Sequence, residues 1–206
     1  FYELGEIYYK GEGVSQNYAE AGINYMLAGA LGNHLASYKL GNMYFYGEHY
    51  LQDYTEAERL YRISAEQGYA IAQYKLGVMY SNGDGVLKDY TEAEKWFRLS
   101  AEQGDSMAQT GLGSLYQNVF KDYKKANKWF RLAANQGNEF SQTNLGRQYA
   151  GGYGVTKDFR EANKWLLKAA EQGNDEAQVF LGFHYHLGKG FLQDNVKAHM
   201  WFNISS

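Results

Sequence analysis

Side chains able to do chemistry are present in this sequence, but their spacing does not assemble them. The five histidines are His34, His49, His184, His186 and His199. A metal pair on one helix needs ligands at i and i+4, whereas His184 and His186 are two apart and point to different sides, one partly buried and one exposed. Cysteine is absent, which removes thiolate nucleophiles, thiolate ligands and disulfides. No Ser-His-Asp or Cys-His arrangement can be drawn. The glycine-rich segments Gly11-Glu12-Gly13 and Gly83-Asp84-Gly85 carry acids, lack the Gly-Lys-Ser/Thr of a phosphate loop, and join helix to helix. Asn82-Gly83-Asp84-Gly85 also lacks the ligand ladder and final Glu of a calcium loop. The expectation is a chain with no catalytic residue, no metal and no cofactor, and so not an enzyme.

Other conspicuous residues read as structure. Trp96, Trp129, Trp165 and Trp201 recur beside Phe or Leu, which places them in a core rather than on a base-stacking surface. Recurring acids such as Asp89 and Glu92 read as helix caps. The basic run Lys124, Lys125, Lys128 and Arg131 reads as a solvated outer face, with contact to an acidic partner as the alternative. Asn203-Ile204-Ser205 matches a glycosylation acceptor, a weak three-residue signal.

The elements that position these residues follow from an internal repeat. A Leu-Gly pair precedes a Tyr by three residues at Leu4-Gly5, Leu40-Gly41, Leu76-Gly77, Leu112-Gly113, Leu145-Gly146 and Leu181-Gly182, in steps of 36, 36, 36, 33 and 36. A closing glycine keeps the same steps at Gly32, Gly68, Gly104, Gly137 and Gly173. The clearest unit runs from Tyr69 to Gly104. Ala72, Leu76, Gly77 and Tyr80 mark one face of a first helix, and Asn82-Gly83-Asp84-Gly85 supplies the turn. Asp89 then caps a second helix with Glu92 three residues on, a pairing repeated as Asn17/Glu20, Asp53/Glu56 and Asp158/Glu161. Gly77 and Ala72 are expected to face Ala93 and Ala101, with Trp96 and Phe97 filling the space between hairpins. The boundaries are approximately 1–32, 33–68, 69–104, 105–137, 138–173 and 174–206, forming one domain over 1–206; the fourth unit lacks three residues between Tyr116 and Asp122.

The pattern A-x-x-x-L-G-x-x-Y, then G-x-G-V, then D-x-x-x-A-x-x-W-[FL], then A-x-Q-G resembles the Sel-one-like repeat (SLR) family, relatives of the tetratricopeptide repeat. The resemblance covers essentially the whole chain. It implies an all-α fold: an α/α solenoid, a right-handed superhelix of about six helix-turn-helix repeats. It also implies an adaptor that binds a protein or peptide, in a bacterial envelope, secretion, host-contact or immunity setting. A small-ligand or cell-wall-binding relative, or an enzyme, is the rival reading, and a structural spacer within a longer chain is a third. Relatives with cell-wall or β-lactam associations carry paired cysteines in each repeat, which this chain lacks.

Composition bounds the partners. The formal net charge of −3 offers no basic footprint for nucleic acid. No apolar run approaches the roughly 20 residues of a membrane span. No signal peptide is visible, although the chain starts inside a first helix and stops inside a second, as a piece of a longer protein would. That pattern suits a periplasmic or exported protein if a leader was removed, and a cytoplasmic one otherwise. Oligomeric state is left open.

If the hairpins stack as in tetratricopeptide relatives, the first helices line a concave binding face. Its positions are two before and two after the Leu, and the residue after the Tyr. These are Tyr38, Asn42 and Phe45; Tyr74, Val78 and Ser81; Thr110, Ser114 and Gln117; Thr143 and Arg147; and Val179, Phe183 and His186. Tyr38, Phe45, Tyr74 and Arg147 lead as anchors, aromatic and arginine side chains being the usual hot spots; the alternative is that the tyrosines pack on the next hairpin.

Overall fold

A computed structural model describes residues 1–204. Ser205 of the glycosylation match and the last residue of the sixth repeat lie outside the described residues. The described residues form twelve α-helices and no strand. They are α1 (Tyr2–Lys10), α2 (Tyr18–Ala30), α3 (His34–Tyr46), α4 (Tyr54–Glu66), α5 (Ala70–Asn82) and α6 (Tyr90–Glu102), then α7 (Ser106–Asn118), α8 (Tyr123–Asn135), α9 (Glu139–Gly151), α10 (Phe159–Ala170), α11 (Asp175–Leu187) and α12 (Asn195–Ile204). This is an all-α solenoid of paired helices. Two compact units divide it, the first ending at Gln103 and the second beginning at Gly104. Within each unit, every first helix packs on the second helix of its own repeat and, after the unit's first repeat, also on that of the repeat before.

Capping explains why each second helix starts where it does. The side chains of Asn17, Asp53, Asp89, Asp122 and Asp158 accept hydrogen bonds from amides of the first turn. The expected capping box is only half formed. The amide of each cap residue donates instead to the carbonyl of the repeat tyrosine, as Asp53 to Tyr44 (3.0 Å), Asp89 to Tyr80 (2.9 Å) and Asp158 to Tyr149 (2.9 Å). The glutamate three residues on has no orphan donor to serve there and pairs with a cation one turn ahead: Glu56 with Arg59, Glu92 with Lys95, Glu161 with Lys164. At the other end Gly32, Gly68, Gly104, Gly137 and Gly173 take φ between +87° and +98°, the left-handed stop that glycine adopts without strain.

The Leu-Gly glycine has a different partner from the one its spacing suggests. A Cβ on Gly77 would lie 2.5 Å from Phe97 Cδ1, so the Phe97 ring lies on the Gly77 backbone within one hairpin. Tyr25, Tyr61, Phe130, Leu166 and Phe202 cover Gly5, Gly41, Gly113, Gly146 and Gly182 in the same way. A large second-helix side chain, aromatic everywhere but at Leu166, therefore requires the glycine, rather than Ala93 or Ala101. Trp96, Trp129 and Trp165 are buried and Trp201 is half-buried, as a core ladder demands.

Glutamines stitch successive repeats. Gln73 Nε2 donates to the Ala65 carbonyl (3.0 Å), Gln142 to that of Ala134 (3.2 Å) and Gln178 to that of Ala170 (3.1 Å). Each donation adds a second hydrogen bond to a last-turn carbonyl of the preceding second helix, which already accepts the amide of the closing glycine. The closing glutamine of the same repeat then donates to that side chain, as Gln103 to Gln73 (2.8 Å) and Gln172 to Gln142 (2.8 Å).

Candidate functional site

The first-helix positions differ sharply in what they leave exposed. In the first unit, Tyr38 is half-buried, its ring 5.8 Å from Tyr61 and edge-on to Tyr69 at 5.2 Å. It packs against the next hairpin, as the alternative reading had it. The Tyr61 hydroxyl donates to Asn42 Oδ1 (2.7 Å), so that carbonyl is occupied. Phe45 lies edge-on to Tyr46 and Tyr54, both at 5.1 Å, and Lys75 Nζ sits 5.5 Å from its centroid. Lys75 also donates to the Tyr46 hydroxyl (2.8 Å), which holds the 55 % exposed Tyr46 ring beside Phe45. Tyr74 leans on Phe97 at 6.0 Å, and Val78 and Ser81 are half-buried beside it in sequence order.

The first repeat adds a polar cluster that the positional rule did not reach. Glu6 accepts hydrogen bonds from Tyr25 (2.6 Å) and Lys39 (2.9 Å) and pairs with Lys10 (3.2 Å). Burial would raise its carboxyl pKa, but these three donors outweigh burial and hold it below the usual value. Tyr9 donates to Glu48 (2.6 Å), and that bond, with burial, pushes the phenol well above its ordinary range. The Leu+2 rule applied to Leu4 would have found Glu6.

In the second unit, two of the expected contact residues are inter-repeat stitches. Thr143 is 1 % exposed; its hydroxyl bonds the Glu139 carbonyl (2.9 Å) and Asn174 Oδ1 (3.0 Å). Its short side chain reaches the cap of the next repeat's first helix, so it presents nothing to a partner. The half-buried Thr110 likewise bonds Ser141 Oγ (2.8 Å) in the first turn of the next repeat's first helix. Ser114 is half-buried. Arg147 is exposed, donates to Glu176 (3.0 Å) and lies over Phe180 at 5.9 Å; Val179 is half-buried. Phe183 is 50 % exposed and edge-on to Phe202 (5.2 Å), and His186 is exposed with Nδ1 bonded to Asn195 Oδ1 (2.9 Å). His184, two residues earlier, is buried; its Nδ1–H donates to Asn163 Oδ1, and burial with Lys189 nearby lowers its pKa to about 4.

Gln117 opens onto a cleft of about 260 Å³ that also involves Asn118, Lys121, Tyr123, Arg147 and Tyr153. Gln148 Nε2 donates to Gln117 Oε1 (3.1 Å), and Gln148 Oε1 accepts from Asn127 Nδ2 (3.0 Å), which fixes the cleft floor. Asn118, Lys121 and Tyr153 were missed by the positional rule; the only sequence signal for them was the three-residue shortening of the fourth unit. Among the described residues no group of three or more His, Asp or Glu side chains could hold a metal, and no helix is long and apolar enough to cross a membrane.

The repeat signature decides the relationship: the Sel1 repeat model matches six times, at residues 2–34, 34–69, 70–105, 106–138, 140–174 and 175–206. The chain belongs to the Sel1 repeat family. Sel1 repeats typically mediate protein–protein interaction on a scaffold that is typically non-enzymatic. A protective antigen of uropathogenic Escherichia coli with an SLR fold superposes with a TM-score of 0.94 at 36% identity, over 99% of this chain and 44% of that one. The chain thus spans less than half the antigen's length. A Sel1 repeat protein of Oxalobacter formigenes gives 0.86 at 32% identity, over 100% of this chain and 83% of its own. An immunity protein of Pseudomonas aeruginosa gives 0.57 at 20% identity, over 98% and 80%, a likeness of fold alone. No curated protein matches. On the first helices, Tyr46 is exposed beside the half-buried Phe45 and Lys75 in one unit, and Arg147 is exposed beside the half-buried Gln117 in the other.

Proposed function

We propose that this Sel1 repeat chain is a non-enzymatic adaptor that holds a protein or peptide segment on its first-helix faces, each unit with its own contacts, and that nucleic acid is not its partner. The observation that carries the reading is the contrast between helix faces. On the second helices Arg59, Lys95 and Lys164 are tied to Glu56, Glu92 and Glu161 of their own helix. The first helices group mixed aromatic, amide and cationic side chains from successive repeats, at least partly exposed: Phe45, Tyr46 and Lys75 in the first unit, Gln117 and Arg147 in the second, Arg147 with a solvated pair to Glu176. Such partly enclosed mixtures suit interface anchors, which need an apolar body and a polar tip. Of the expected contact residues, Phe45, Tyr74, Val78, Ser81, Ser114, Gln117, Arg147, Phe183 and His186 belong to this reading. Tyr38, Thr110 and Thr143 are engaged with the next repeat, and Asn42 with Tyr61 of its own repeat. The relative named as a protective antigen favours a bacterial host-contact setting.

The test places the photoreactive residue p-benzoylphenylalanine at position 46, 117 or 183 and, as controls, at the second-helix positions 95 and 164. Irradiation in source-cell fractions is expected to attach one protein from the first three positions only. Adducts confined to the controls would move the site to the second helices, and adducts from none would leave a spacer.

A further inference from the structure

The fourth repeat departs from the others where its loop should be. Helix α7 ends at Asn118, yet the Asp122 amide still reaches the Tyr116 carbonyl (2.9 Å), so residues 119–121 must close the turn without a glycine. Lys121 does so at φ +57°, a left-handed conformation that side-chain-bearing residues rarely adopt. A strained residue beside a cleft is a reason to look for a ligand there. The next repeat's loop completes the wall: Tyr153, 53 % exposed, stacks on Tyr123 with centroids 5.4 Å apart and planes at 29°.

The charge in this cleft is one-sided. Lys121 has no ion-pair partner among the described residues, and no carboxylate lines the cleft. Residues 121–131 carry five cations and a single acid, Asp122, within a chain of net charge −3. Asp122 is committed elsewhere: it accepts the Lys125 amide (3.0 Å) and the Lys125 ammonium (3.2 Å) at the start of α8. Arg147 makes one hydrogen bond to Glu176, whose side chain is 54 % exposed, and solvated pairs of this kind exchange partners at little cost. The Gln117 amide nitrogen has only two long contacts, both at 3.5 Å.

We propose that this cleft is a subsite for an acidic side chain of the bound protein segment, its carboxylate held by Lys121 and Arg147 and a neighbouring aromatic side chain lying on Tyr153. The inference rests on the first-helix reading above and adds the chemistry of the partner. Lys121 and Arg147 both line the cleft, so a carboxylate seated there meets an ammonium and a guanidinium at once. The stacked tyrosines supply a flat apolar wall for the adjoining residue.

The probe is the capped pentapeptide acetyl-Gly-Tyr-Glu-Tyr-Gly-amide, with its Glu-to-Gln counterpart, sodium acetate and inorganic phosphate as comparison arms, each followed by amide NMR shifts of the intact chain. Saturable shifts are expected at residues 117, 118, 121 and 153 with the Glu peptide, with the Gln peptide weaker by about fivefold, the upper end for a partly exposed ion pair. Lys121→Gly is expected to weaken the Glu peptide to a similar degree while raising the melting temperature, an opposition that loss of structure cannot mimic. Arg147→Gln is expected to weaken it without moving the shifts of residues 38–81. Equal binding of both peptides would remove the acidic subsite and leave the protein-binding reading standing. Phosphate or acetate matching the peptide would reduce the cleft to a simple anion site. No shift at these amides, with photoadducts still forming at positions 46 or 183, would overturn the subsite alone.

Discussion

Lowering the pH should destabilise the second unit through one imidazole. His184 is 5 % exposed, and three groups surround it: Asn163, which accepts from Nδ1–H, and the rings of Phe159 (5.3 Å) and Phe180 (6.5 Å). The charged group facing it is Lys189, whose carbonyl in turn accepts from Asn163 Nδ2 (2.9 Å). Two features disfavour the imidazolium: burial removes water and Lys189 repels the charge. Burial is the larger cause and Lys189 the smaller, and together they lower the pKa from 6.5 to about 4. In the unfolded chain the ring protonates near 6.5, so as the pH falls the unfolded state takes up the proton first. Stability is therefore complete above about pH 6.5 and is lost progressively down to about pH 4. A tenfold change in proton affinity is worth about 1.4 kcal/mol, so the full loss is about 3 kcal/mol. His184→Gln places here the residue that Gln148 supplies one repeat earlier, where it already pairs with Asn127. The variant should keep the bond to Asn163 and lose the pH-dependent part. Urea unfolding of both proteins from pH 7.5 to 4.5 should give curves that diverge below about 6.5, with the wild type falling faster. Parallel curves, or an imidazole that titrates by NMR at or above 6, would refute the reasoning.

Two further substitutions test the packing. Gly77→Ala puts a Cβ 2.5 Å from the Phe97 ring, and the ring cannot move without disturbing its own buried neighbours; the expected cost is about 1–3 kcal/mol by urea melt. A neutral result would mean that the ring slides freely over the helix. Trp129→Ala should cost about 3–5 kcal/mol, because the indole is 8 % exposed, whereas Trp201→Ala should cost clearly less because Trp201 is half-buried. Equal losses would contradict the graded burial of the ladder.

The repeat was legible in the sequence because each marker residue has a backbone duty. The tyrosine carbonyl receives the amide of the cap, the closing glycine turns left-handed, and the Leu-Gly glycine admits an aromatic ring. Residues with such duties recur at fixed steps, so two rulers agreed. The partner of the Leu-Gly glycine was misjudged because small residues on both helices suggested contact between them, whereas the close approach is of a ring on a backbone. The capping box misled for a similar reason: the spacing of Asp and Glu is right, but the tyrosine carbonyl satisfies the amide that the glutamate would have served.

Binding positions were harder to read, since face and depth are separate properties. A position rule gives the face; depth depends on what the next repeat sets opposite. Tyr38 is covered because Tyr69 stands against it, and Thr143 because Asn174 reaches it. Both lie in the first half of their helices, where the following repeat packs. Six residues past the Leu, by contrast, the chain is exposed in every repeat, at Lys10, Tyr46, Asn82, Asn118, Gly151 and Leu187. These residues differ in chemistry from one repeat to the next while sharing a location, the last turn of the first helix before the loop. A helix end carries less of the stitching that constrains the middle, the Lys75–Tyr46 bond being one example that remains, so a side chain there can change with less disturbance to the stack. On the proposed adaptor reading, partner choice is therefore assigned to the last turns of the first helices and the loops that follow. The cleft at Asn118 and Lys121 is where one such loop has been shortened enough to make a pocket.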